Sequence, residues 1–284
     1  MSSKIDQFES VFLAASRTRF EFSPLKFERV LVITDLSPYE TRLFADLAAA
    51  LLPALSHCDW QSVGQLEGGR NVEQLLELVE HHRPDLICTY RHLDGAGWRW
   101  PYGLGDSLVV LTQATTTPVL MLPRPDPQAS SSLPRSAQRL MAITSTLAGD
   151  HRLVSVAAQL TPEDGTLFLS HIEDDAVFER YIQAIAKIPA IDTNAARAEI
   201  GAQLLKDAQH YIASCADELA RVGLGFKVEE VVAFGHRLRE YRELVARHQI
   251  DLLVLNTKDD DQLAMHGLAY PLAVELNGLP LLML

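Results

Sequence analysis

Along this chain, short and nearly continuous apolar runs alternate with longer segments whose apolar residues recur every third or fourth position. The first run, Arg29-Val30-Leu31-Val32-Ile33-Thr34, has the composition of a strand buried on both faces. Asp35-Leu36-Ser37-Pro38 breaks it and supplies helix-start chemistry. A helix rich in Ala and Leu follows over 39–55, then a weaker strand over 60–66. Val72, Leu75, Leu76 and Val79 share one face of a helix over 72–82. Strands over 85–90 and 118–122 then flank a helix over 107–114. The order begins again with a strand at 140–144 and a helix at 152–160. A strand at 166–172 has no counterpart in the first half, and helices follow over 175–188 and 192–222. The chain closes with strands at 226–234, 251–256 and 281–284 and helices at 238–248 and 268–276. Strands alternating with helices predict a parallel sheet with helices on both faces, wound right-handed.

The second half repeats the first in its punctuation as well as its periodicity. His82-Arg83-Pro84-Asp85-Leu86-Ile87 is answered by His248-Gln249-Ile250-Asp251-Leu252-Leu253. Gly69 stands 16 residues before Asp85, and Gly235 stands 16 before Asp251. Gly105 and Pro118 are 13 apart, as are Gly267 and Pro280. The offset between copies is 166 before the intervening loop and 162 after it, so the second loop is four residues shorter. Steady offsets of this kind point to duplication. The second copy has a full set of five strands. The first has about four, because only one helix fits between Thr34 and Trp60. The two closing strands are short and apolar, and an exposed apolar edge invites aggregation. The simplest remedy is that these edges cover one another, which makes the chain a pseudo-dimer of its own halves.

Two segments fall outside this pattern. In 1–26, Ile5, Phe8, Val11, Phe12 and Ala15 recur at helical spacing and Thr18 to Phe22 alternate like a short strand. This segment reads as an accessory arm packed on the fold or as a partly ordered tail. Residues 123–138 hold four prolines and four serines, a composition that reads as a linker. The predicted organisation is therefore an arm at 1–26, a first domain at 27–122, the linker, and a second domain at 139–284.

Composition narrows the function. The length of 284 residues suits two domains, and 48% hydrophobic with 22% charged residues is globular. A net charge of −12 argues against nucleic acid or an anionic membrane surface as the main partner. Cys58, Cys88 and Cys215 are far apart and carry no CxxC signal, so they read as reduced thiols of a cytoplasm. There is no apolar run long enough for a membrane span, and the N-terminus, with Asp6 and Glu9, lacks the apolar core of a secretory signal. No GxSxG, GxxxxGK[ST] or HExxH motif is present. His236, at a helix start after Gly235, is the histidine nearest a strand end and reads as structural.

This order of elements resembles the universal stress protein family in its tandem, two-domain form. The residues that carry the likeness are the first strand ending in Asp35, the unit from Gly69 to Thr89, the Gly105-to-Pro118 helix and strand, and the second half from Leu140 to Leu284. The resemblance implies a doubly wound, Rossmann-like α/β fold of the adenine-nucleotide-hydrolase-like group. In such sheets ligands sit beyond the carboxyl ends of the strands, where the strand order reverses. Here that is Asp35 to Ser37 facing the loop after Thr89. The family's nucleotide-binding branch carries a loop of Gly, two residues, Gly, nine residues, Gly, then Ser or Thr, whose backbone amides cradle phosphate.

Against that pattern the first half is a partial match. Gly95 and Gly105 are correctly separated, but His92 replaces the first Gly and Asp106 replaces Ser or Thr, with Ser107 next. A carboxylate at a phosphate-binding helix start repels the ligand by roughly a few kcal/mol if the site is dry. Trp98 and Trp100 could stack on a base or plug the loop. Asp35 matches the family's acid near adenine, and could equally serve as a helix cap. The second half departs further. Ser145 replaces the acid, Leu268 follows Gly267 without a hydroxyl, and Asp259-Asp260-Asp261 oppose phosphate. The expectation is a cytoplasmic, non-enzymatic regulatory or binding module in stress response, homodimeric and working with a regulatory protein, its nucleotide binding reduced or lost. One rival is a slow ATPase that binds ATP or AMP at Asp35, Ser37, Gly95, Gly105, Asp106 and Ser107. A second rival is a nucleotidyl-transfer enzyme of the wider group.

Overall fold

The structure, a computed structural model, describes residues 19–67, 69–95, 102–125, 135–144, 147–257 and 268–284. Four strands belong to the first half: β1 (Arg29–Ile33), β2 (Asp59–Val63), β3 (Leu86–Tyr90) and β4 (Val119–Leu122). Five belong to the second: β5 (Arg139–Ile143), β6 (Thr166–Asp174), β7 (Lys227–Gly235), β8 (Leu252–Leu255) and β9 (Leu281–Met283). All nine join one sheet in the order β2-β1-β3-β4-β9-β8-β5-β6-β7. Every pairing is parallel except β4 with β9, which is antiparallel, with Leu120 opposite Leu282. The short apolar edges thus cover one another, and both strands are fully buried.

Eight α-helices are described: α1 (Pro38–Leu51), α2 (Val72–His82), α3 (Asp106–Ala114), α4 (His151–Leu160), α5 (Asp175–Ile185), α6 (Thr193–Arg221), α7 (Arg237–His248) and α8 (Ala269–Glu275). Local sequence explains their ends. Ser37 with Glu40 and Asn71 with Gln74 form capping boxes at the starts of α1 and α2. After α1 the chain tightens into a 3-10 turn at Pro53–Leu55, because Pro53 cannot continue the α-helical hydrogen bonding. Phe44, Ala48 and Leu51 of α1 and Leu75 and Val79 of α2 turn inward, as their spacing requires.

The repeated residues do equivalent work in the two halves. The Asp85 carboxylate accepts hydrogen bonds from the backbone of Glu28 and Arg29, both at 2.9 Å. Asp251 accepts from Gln138 at 3.0 Å and Arg139 at 2.8 Å. Each carboxylate therefore ties the start of a central strand, β1 or β5, to its parallel neighbour. The carbonyls of Pro118 and Pro280 receive the backbone N–H of Ile87 and Leu253. Arg83 and Gln249 both end their helices with positive φ, 45° and 50°.

Two expectations are corrected. Sequence offsets leave 166–172 as the strand without a counterpart, yet β6 lies beside β5 just as β2 lies beside β1. By position in the sheet, the strand without a partner in the first half is the edge strand β7. Residues 19–28 form no strand either. Their N–H groups go instead to side chains of the second half: Phe20 to Ser214 Oγ, Glu21 to His151 Nδ1 and Ser23 to Ser155 Oγ. Phe20 is buried against His151 and Tyr211. This part of the arm is packed on α4 and α6.

Candidate functional site

The strand order reverses beside β1 and β3, so the carboxyl ends of those strands are where a ligand would be sought. Asp35 lies there, two residues beyond β1. It does not cap α1, because Ser37 holds that position and accepts from the Glu40 N–H. The Asp35 carboxylate is instead surrounded by groups of this same chain. Tyr90, the last residue of β3, donates its hydroxyl to Oδ1 and accepts the Asp35 N–H at 3.0 Å. Arg124, two residues beyond β4, places Nη2 at 3.1 Å from Oδ1 and 3.3 Å from Oδ2. The Asp94 N–H donates to Oδ2 at 3.2 Å.

A second ion pair lies next to this one and deeper. Arg70 Nη1 is 3.1 Å from Asp94 Oδ2, and its Nη2 donates to the carbonyls of Gly64 and Thr34. Both side chains of this pair are only 3% exposed, against 27% for Arg124 and 17% for Asp35. Charges this buried persist only when paired and hydrogen-bonded, which every partner here provides. Burial nevertheless pushes the Asp94 carboxyl above its ordinary pKa despite Arg70. It also pushes the Tyr90 phenol well up, with the Asp35 hydrogen bond adding to the effect, so Tyr90 is a donor throughout the physiological range.

The predicted phosphate cradle sits beside this network. Gly105 is the N-cap of α3 with φ +86°, a conformation that favours glycine. A Cβ there would lie 2.7 Å from Cα and 2.9 Å from N of His92. His92 N donates to the Leu104 carbonyl at 2.8 Å. The backbone at His92 therefore packs directly on the turn that would have to cradle phosphate. His92 and Asp94 have positive φ, 55° and 58°, and Gly95 N returns to the His92 carbonyl. Gly95 is exposed, Ser107 is buried and Asp106 opens α3. Ser37 is half-buried and engaged with Glu40 through both backbone and hydroxyl. Trp98 and Trp100 lie outside the described residues.

In the second half, Ser145, Gly267 and the triple aspartate lie outside the described residues, and Leu268 is the N-cap of α8. Asp150 is one acidic group at this end. It caps α4 through the Leu153 N–H at 3.1 Å and accepts from Asn256 Nδ2 at 2.6 Å. Burial raises its pKa. Among the described residues no cluster of three His, Cys, Asp or Glu side chains suits a metal ion.

Of the residues singled out from the sequence, Asp35 lies in this network and Gly105 beside it; Arg70, Tyr90, Asp94 and Arg124 are not among the residues the sequence singled out. Arg70 follows the repeated Gly69 and Tyr90 ends a predicted strand, so both had a positional signal. Arg124 lies in the Pro/Ser-rich segment, where composition reads only as linker.

No known family's sequence profile matches this chain, and no curated protein matches it. Solved structures do. A functionally unknown protein of Pseudomonas aeruginosa PAO1 is 13% identical, with 91% of this chain and 92% of that one covered and a TM-score of 0.49. A universal stress protein of Archaeoglobus fulgidus DSM 4304 is 11% identical over 90% of this chain and 95% of that one, TM-score 0.49. A putative universal stress protein of P. aeruginosa UCBPP-PA14 is 14% identical over 91% and 93%, TM-score 0.45. Universal stress proteins are thus among the solved structures similar to this chain over nine tenths of its length, and at such identities the site must be read from its own side chains.

Proposed function

We propose that this chain is a regulatory or binding module of universal-stress-protein type, non-enzymatic, in which nucleotide binding is reduced or lost. The observation that carries this reading is the occupation of the first-half ligand position by the chain itself. Asp35 is satisfied by Tyr90, Arg124 and the Asp94 backbone, and His92 packs on the turn at Gly105. A nucleotide entering here would have to displace a charge-assisted pair and the backbone beside the helix start, and would gain Asp106 as a neighbour. The equivalent duties of Asp85 and Asp251, and of Pro118 and Pro280, support two copies of one wound sheet, bounded near 27–122 and 139–284 with a linker at 123–138.

Thermal unfolding with and without ATP and Mg²⁺ tests the reading. A ligand at about 100 times its dissociation constant adds about 2.7 kcal/mol to stability, a plainly visible rise in midpoint. The expected result is no rise at millimolar ATP or AMP. A clear rise would replace this reading with that of an ATP-binding slow ATPase at the same position. The reading extends to a cytoplasmic homodimer that acts on a regulatory protein. Sedimentation velocity over a range of concentrations is expected to give the dimer mass, and a monomer throughout would remove that part.

A further inference from the structure

The Arg124 contact differs in kind from the pair beside it. Arg70 and Asp94 are sealed and tied to the backbone carbonyls of Thr34 and Gly64, just beyond β1 and β2, as a permanent structural pair is. Arg124 is attached to nothing so deep. It sits on the segment leaving β4, and its guanidinium reaches back over the Tyr90 ring, Cζ 4.8 Å from the ring centroid. Its Nη2 spans both Asp35 oxygens and its Nη1 donates to the His92 carbonyl at 3.3 Å. More than a quarter of its side chain is exposed, as is about a sixth of that of Asp35.

These four contacts are the parts of a binding site for a flat cation. An aromatic face lies beneath, a carboxylate takes one terminal nitrogen between its two oxygens, and a carbonyl takes the other terminal nitrogen. The other walls do not depend on Arg124. Tyr90 is held edge-on by Phe44, with ring centroids 5.3 Å apart, and Asp35 is still fixed by the Tyr90 hydroxyl and the Asp94 N–H. We propose that the position beside Asp35 is a site for a guanidinium-type ligand, an alkylguanidinium small molecule, and that Arg124 occupies it in cis as a latch. This rests on the reading that nucleotide is not the occupant, and it names the class of ligand that replaces it. The latch sets the conditions for binding: a ligand in trans enters only as the Arg124 guanidinium leaves Asp35 and the Tyr90 ring. A spherical ammonium would satisfy the charge but has no second nitrogen in one plane to reach the carbonyl while the first faces the carboxylate and the group lies flat on the ring.

The test uses the full chain with Arg124→Ala and methylguanidinium as probe. The variant is expected to unfold at a lower midpoint than wild type. Methylguanidinium at low millimolar concentration is expected to raise that midpoint by about 2–4 °C. Wild type, whose site is filled, and Arg124→Ala with Asp35→Asn are expected to show no rise, and methylammonium is expected to be ineffective on all three. Arg124→Gln carries the same test with a polar side chain should the alanine variant fail to fold. An equal response of wild type and variant, a response that survives Asp35→Asn, or none in the variant would each overturn the proposal. AMP, applied to the same variant, separates the two readings. A rise with AMP and none with methylguanidinium would overturn the guanidinium site. A rise of wild type with ATP would instead overturn the loss of nucleotide binding, whatever methylguanidinium does.

Discussion

At the scale of single residues, burial without full pairing is the most informative feature. His171 on β6 is buried, with Nε2 at 3.1 Å from Glu173 and Nδ1 without a hydrogen-bond partner. Burial lowers its pKa below the ordinary histidine value, and it outweighs the raising effect of Glu173. The folded state therefore holds fewer protons than the unfolded state in the window just below about pH 6.5. Stability must rise with pH through that window and fall as the solution is acidified. His171→Gln is expected to remove this contribution and flatten the dependence of unfolding free energy just below about pH 6.5. Denaturant unfolding at several pH values checks it, and identical slopes for the two proteins would show that His171 is not responsible.

At the scale of elements, the repeated punctuation turns out to be strand architecture. Asp85 and Asp251 receive backbone N–H groups at the starts of β1 and β5, which is why an acid stands at that place in both halves. Neither residue belongs to the candidate site. The same scale explains the disagreement about which strand lacks a counterpart. Offsets along the chain align β2 with β7, since each precedes a glycine and the helix that leads to β3 or β8. Hydrogen bonding aligns β2 with β6, since each lies beside the first strand of its half. Among the described residues, β2 pairs directly with β1 and is the edge strand.

At the scale of the whole molecule, the halves are joined by more than the antiparallel β4–β9 pair. Arg91, immediately after β3, donates to the carbonyls of Ala273 and Val274 near the end of α8. A cation at a helix C-terminus meets both the unpaired carbonyls and the dipole. Burial lowers its pKa to about 10, which leaves it charged at neutral pH. Arg91→Met keeps the apolar stem and removes the cap. A loss of about 1.5–3 kcal/mol is expected, since these are charge-assisted hydrogen bonds whose acceptors would be left buried. Urea unfolding measures it, and a cost near zero would mean that the Arg91 contact does not help to hold the halves together.

The alternation of apolar runs and helical stripes determined the elements, their order and the need for the two closing strands to shelter each other. Those are properties of local pattern and of unpaired backbone, so they are written in consecutive residues. The state of the ligand position is not. The groups around Asp35 are 55, 59 and 89 residues away along the chain, and one of them lies in a segment whose composition reads as linker. Only the three-dimensional fold brings Arg124 back over Tyr90, because a charge finds its partner by proximity in space, which no spacing along the sequence encodes.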